Sequence, residues 1–142
     1  MKIVAIAVAL VALAACGTTT TQIPTYQAST TAYAAPVGDP LRVNLSDIGK
    51  DYHGNKIAAE SKWGGKYVEF TGTVLNISDG WSPSVSFSLP PDLFSQIVCE
   101  VEDEQQLNRP NLVSGGRATV RGTIEGDQTM GVVRMNGCVV VG

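Results

Sequence analysis

Histidine occurs once in the 142 residues, at position 53, and Cys only three times. One imidazole with no Cys at ligand spacing leaves zinc without a ligand set, so His53 reads as a solvated surface residue. The G-x-S-x-G elbow, the P-loop and H-E-x-x-H are all missing. Ser, Cys and carboxylates are present, but a nucleophile needs a positioned base, so the chain reads as non-catalytic. Basic residues are also scarce, 10 Lys+Arg against 13 Asp+Glu, for a formal charge of −3. Removing Lys2 with a leader would leave 9 cations against 13 acids. Neutralising a phosphate backbone calls for the opposite excess. The acidic set Glu100, Glu102, Asp103 and Glu104 reads as a solvated strand end, because a calcium site needs oxygens converging from a Gly-assisted loop. No metal and no dissociable cofactor are expected. Long hydrophobic runs are absent too: the run at residues 3–13 falls short of the roughly 20 that span a bilayer.

That run has the length of a signal-peptide core and follows Lys2. It ends in Leu13-Ala14-Ala15-Cys16, then Gly17, which resembles the lipobox of bacterial lipoproteins. The resemblance implies that the Cys16 thiol receives a diacylglycerol, that the leader 1–15 is cut away, and that the new amine is acylated, typically with palmitate. Without it, the leader would be an ordinary secretory signal and Cys16 incidental. Several acyl chains on one Cys give stable anchoring, since each buried methylene adds ~0.8 kcal/mol. In the Gram-negative members of that class an Asp after the Cys favours the inner membrane. Gly17 therefore implies an exported protein held at the periplasmic face of the outer membrane. Residues 16–40 are rich in Thr, Pro and Ala and carry no sustained period. Such a segment stays a flexible tether reaching ~25–30 Å, with Tyr26 and Tyr33 as linker residues.

From residue 41 to 142 the chain has the content of one domain. Leu45, Ile48, Tyr52, Ala59 and Trp63 recur on one face of an N-terminal helix at about 45–63, capped by Asn44. Gly54-Asn55 interrupts it, as a bend or as a division into two short helices, and Gly64-Gly65 ends it. The period then changes to two. The inward sets are Val68, Phe70, Gly72 and Val74; Val85, Phe87 and Leu89; Ile97, Cys99 and Val101; Ala118, Val120, Gly122 and Ile124; and Val133 and Met135. Cys138 and Val140 fall one residue out of phase, which a bulge at Asn136-Gly137 would restore. A mid-strand Gly in the first and fourth strands favours a small, strongly coiled barrel. Residues 103–116 read as a short helical or turn segment plugging one end. The fold class is mainly β: a five-stranded OB-fold-like barrel at about 66–141 behind a helix.

Several segments resemble the bacterial tRNA_anti-like OB-fold family over residues 45–141. They are Asn55-Lys56-Ile57-Ala58-Ala59, Gly65-Lys66-x-Val68-x-Phe70-Thr71-Gly72-Thr73-Val74, Val98-Cys99-x-Val101, Gly116-Arg117-x-Thr119-Val120-x-Gly122 and Asn136-Gly137-Cys138. The family has no common activity to transfer. In such a barrel the third and fifth strands are neighbours, so inward Cys99 and Cys138 either form a disulfide or stay buried as free thiols. OB-folds also bind single strands on aromatic platforms beside a basic groove, for which Tyr67, Trp81, Arg121 and Arg134 are the candidate ligand-facing residues. The acidic balance and the envelope address argue against that use. The expected function is a membrane-anchored, non-catalytic module binding a partner protein in the cell envelope. The alternative is binding of oligosaccharide or peptidoglycan fragments, or another small ligand, with Trp81 and Tyr67 as stacking platforms.

Overall fold

The computed structural model describes residue 36, residues 38–129 and residues 131–142. The leader, Cys16 and the tether up to residue 35 lie outside the described residues. Asn44 opens helix α1 (Leu45–Gly54), its side chain accepting from the Ser46 N–H at 3.0 Å, with Asp47 in the first turn. Asn55 both closes this helix and opens α2 (Lys56–Trp63): its N–H donates to the Asp51 carbonyl and its side chain accepts from the Ala58 N–H. The expected single helix is therefore two short ones, because an extended residue at 55 satisfies the orphan groups of both ends. One carboxylate oxygen ties them together: Asp51 Oδ2 accepts from Lys62 Nζ at 2.7 Å and from Trp63 Nε1 at 2.8 Å.

The strands are β1 (Leu41–Arg42), β2 (Tyr67–Ser78), β3 (Ser84–Ser88), β4 (Gln96–Val101), β5 (Arg117–Thr129) and β6 (Val132–Val140). Strands β2 to β6 close in the order β2-β3-β4-β6-β5, with β5 returning to β2 and only β4·β6 parallel within the barrel. This is the OB-fold barrel. The sixth strand, β1, was not foreseen. It pairs parallel with β2 at Val68 and Glu69, on an edge that β3 leaves open because β3 pairs only with Val74–Ser78. Two residues suffice to cover an otherwise bare edge.

All the inward sets are buried, with Val68, Val85, Phe87, Ile97, Ile124 and Met135 fully enclosed. Phe70 and Phe87 meet edge to face, ring centroids 5.2 Å apart, a geometry that adds to their area burial. The two strand glycines serve close approach as well as curvature. A Cβ at Gly72 would lie 2.5 Å from Leu45 Cδ1, and one at Gly122 would lie 2.7 Å from Cys138 Sγ. Gly72 thus lets α1 seat on the barrel, and Gly122 leaves room for sulfur. The bulge sits where the phase slips: Thr123 faces Asn136 while Arg121 faces Val139, and Gly137 takes φ +59°. The segment after β4 forms a 3-10 turn (Glu104–Asn108) that buries Leu107 and, further on, Leu112. Gln106 Oε1 fastens it by accepting the Val140 N–H at 2.8 Å.

Candidate functional site

Alternation that buries one side of each strand puts the other side in solvent. On β3 and β4 that outer side carries Ser84, Ser86, Ser88, Gln96, Val98 and Glu100, with no aromatic among them. It is a small, polar surface without a stacking platform. Two outward arginines of the barrel, Arg121 and Arg134, are engaged in ion pairs. Glu69, nearly enclosed, receives Arg121 Nε at 2.6 Å and Arg42 Nε at 3.3 Å. That carboxylate holds the Arg121 guanidinium pKa above its ordinary value. Arg134 reaches across from β6 to Glu100, Nη1 to Oε1 at 2.8 Å.

Of the four candidate ligand-facing residues, Tyr67 and Arg121 are neighbours across β2 and β5, while Arg134 and Trp81 stand apart from them. Tyr67, half-buried at the start of β2, lies two residues before Glu69, which stands directly opposite Arg121. Arg134 lies further along, opposite Gly126, and Trp81 stands in the loop beyond the far end of β2. A 12-residue strand separates Tyr67 from Trp81, so one small sugar cannot stack on both.

The three most exposed large apolar side chains among the described residues are on loops. Trp81 is fully exposed in the β2–β3 loop, whose base is pinned where the Val101 N–H donates to the Pro83 carbonyl at 2.9 Å. Leu93 and Phe94, at 88% and 90% exposure, project from the β3–β4 loop at the other end of β3. That loop is braced from within. Asp92 Oδ1 accepts from the Phe94 N–H and Oδ2 from the Ser95 hydroxyl, both at 3.0 Å. These bonds hold the Asp92 carboxyl below its ordinary pKa. Beneath it, Gly49 of α1 abuts the Pro90 carbonyl. A braced loop that still exposes two large apolar side chains is a feature of binding surfaces. Leu93 and Phe94 were missed in the sequence because the loop lacks periodicity; the Pro-Pro-Asp run flanking an apolar pair was the available signal.

Cys99 and Cys138 form a disulfide across β4 and β6, Cα atoms 5.7 Å apart. His53 is exposed at the end of α1, and among the described residues no group of three or more His, Cys, Asp or Glu is placed to hold a metal ion. The acidic set is dispersed: Glu100 pairs with Arg134, and Asp103 caps the 3-10 turn by accepting from the Gln105 N–H. No described helix is long and apolar enough to cross a membrane.

A family model described as tRNA_anti-like matches residues 1–139. Among solved structures, the barrel is similar to a candidate nucleic acid-binding lipoprotein from Klebsiella pneumoniae subsp. pneumoniae. The two are 17% identical with a TM-score of 0.57, covering 72% of this chain and 92% of that one. More distant are the hypothetical protein ygiW from E. coli and a telomere capping protein from Saccharomyces pombe. The former is 17% identical with a TM-score of 0.38, over 75% of this chain and 94% of that one. The latter is 14% identical with a TM-score of 0.37, over 72% and 81%. At these identities the likeness extends to the fold alone. No curated protein matches the sequence.

Proposed function

The chain belongs to the tRNA_anti-like family, and from that premise we propose that it is a lipid-anchored, non-catalytic OB-fold module that binds a partner protein in the cell envelope. The carrying observation is the exposure of Trp81, Leu93 and Phe94 on two braced loops at either end of β3. Large exposed aromatics are enriched at protein interfaces, where fully desolvating one contributes most of the binding energy. In this reading Cys16 carries the acyl chains, the leader is removed, and residues 16–40 tether the barrel to the periplasmic face of the outer membrane. Similarity to a protein named a lipoprotein supports the anchor.

That relative is also named for nucleic acid binding, but the surface here argues for a different ligand. Arg121 and Arg134 are held by Glu69 and Glu100, so each would have to break an ion pair to reach a phosphate. The outer face of β3 carries Ser, and that of β4 Gln96, Val98 and Glu100, where stacking aromatics would be needed. An oligosaccharide gripped between Tyr67 and Trp81 is disfavoured by their separation along β2.

The test compares the intact lipoprotein with a Trp81→Ser/Phe94→Ser variant after crosslinking in its own envelope. A specific protein adduct should form with the wild type and be lost in the variant, with no change in melting temperature. Retention of the same adduct by the variant would contradict the reading. In parallel, single-stranded oligonucleotides should show no saturable fluorescence-anisotropy change at physiological salt.

A further inference from the structure

On the side away from β5, strand β2 is not covered along its whole length. The β1 pairing ends at Glu69 and the β3 pairing begins at Val74, so no described strand pairs with residues 70–73 on that side. Alternation along a strand decides which backbone groups face the gap. The Val74 N–H and carbonyl are bonded to Gly116 and Gly115 on the β5 side. The Glu69 carbonyl points the other way, accepting from the Val43 N–H at 3.0 Å. Thr71, two residues after Glu69, therefore turns its own N–H and carbonyl towards the gap. A groove of about 180 Å³ lies over this stretch. It is lined by the start of α1 at Asn44 and Ser46, by the end of β3 at Ser88, and by Arg117, which stands opposite Thr73 on β5.

The chemistry of the groove limits its occupant. An unpaired strand edge presents donors and acceptors spaced to match another extended backbone. The charge comes from Arg117. Arg42, Arg121 and Arg134 each face a carboxylate, but Arg117 is exposed and has no ion-pair partner among the described residues. No Asp or Glu lines the groove, so it presents an unneutralised guanidinium, whose planar fork matches a carboxylate. The hydroxyls of Ser46, Thr73 and Ser88 add further hydrogen-bonding groups. The volume is below the ~300–1,000 Å³ of an ordinary small-molecule site, and so short a gap admits the end of a chain rather than a long strand. Thr71, Thr73 and Arg117 are all exposed, so a ligand reaches them without opening the fold.

We infer that this groove binds the C-terminus of an extended peptide, with the terminal carboxylate on Arg117 and the last peptide group hydrogen-bonded to the Thr71 backbone. The site uses neither Trp81 nor Leu93 nor Phe94, and it stands or falls independently of what those side chains bind.

The full-length lipoprotein in detergent, isotopically labelled, is titrated with N-acetyl-tri-L-alanine as the free acid and followed by amide chemical shifts. Saturable shifts should appear at Thr71, Thr73, Ser88 and Arg117. Three probes separate the parts of the claim: the C-terminal carboxamide lacks the charge, the tri-D-alanine acid carries it on a mirror-image backbone, and acetate carries it on none. Each should bind at least about tenfold more weakly than the free acid. Arg117→Gln breaks no ion pair, so it should keep the melting temperature while weakening the free acid about tenfold and abolishing its advantage over the carboxamide. Absence of saturable shifts up to roughly 50 mM would overturn the inference. So would equal binding of the carboxamide, the D-peptide or acetate, or unchanged affinity in Arg117→Gln.

Discussion

Asp51 joins two helices through one carboxylate oxygen, and its pH dependence follows from the partners it has gained. Its hydrogen bond from Lys62 is the largest influence, and with Trp63 it holds the carboxyl below the ordinary aspartate value. A depressed folded-state pKa adds stability that is present above about pH 3.9 and is lost as pH falls through the folded-state value. Both partners are open to solvent by a third or more, so the contribution is small, at most ~1 kcal/mol. Asp51→Asn should therefore lower the melting temperature slightly at pH 7, by an amount that shrinks as the pH falls into the acid range, checked by thermal denaturation across that range. The Cys99–Cys138 disulfide is the larger single-residue effect. Closing a loop across a sequence separation of 39 constrains the unfolded chain by about 4 kcal/mol on the chain-entropy account. Reduction, or Cys99→Ala/Cys138→Ala, should lower stability by that order in urea titrations. Inward alternation made both cysteines legible in the sequence. The role of Asp51 was not, because a helix-face pattern records which side is buried and not which polar tip finds a partner.

Strand phase carried most of the architecture. Period-two sets in five segments placed every inward residue, and the slip at Cys138 located the bulge that Gly137 adopts at φ +59°. What phase could not reveal was what the glycines approach. Gly122 reads as a kink, yet a Cβ there meets the Cys138 sulfur and lies 3.0 Å from Met135 Cε. Gly122→Ala should cost about 1–3 kcal/mol. Part of that cost should disappear in a Cys99→Ala/Cys138→Ala background, where the sulfur is gone. A double-mutant cycle by chemical denaturation measures the coupling, and strict additivity would show that Gly122 serves curvature alone. The two-residue β1 also escaped the sequence reading, because so short a segment has no period of its own; it forms where β3 is too short to cover β2.

At the scale of the whole molecule, the loops at the two ends of β3 hold out the most exposed apolar side chains, Trp81, Leu93 and Phe94, while Arg121 and Arg134 on the barrel are paired. Of the candidate ligand-facing residues, sheet register sets Tyr67 beside Arg121 and Arg134 further along, and Trp81 belongs to a loop beyond them. The two loops are short, aperiodic and fixed by local hydrogen bonds, which pattern reading does not reach. The anchor is a separate matter: Cys16→Ser should move the protein from the membrane to the soluble fraction of the envelope and abolish labelling by a palmitate analogue. The binding claim is tested most directly by placing a photoreactive phenylalanine at Trp81, at Phe94 and, as a control, at exposed Glu125 on β5, then irradiating intact cells. The account predicts one discrete protein adduct from positions 81 and 94 and none from 125. No adduct from 81 or 94, or the same adduct from all three positions, would contradict it.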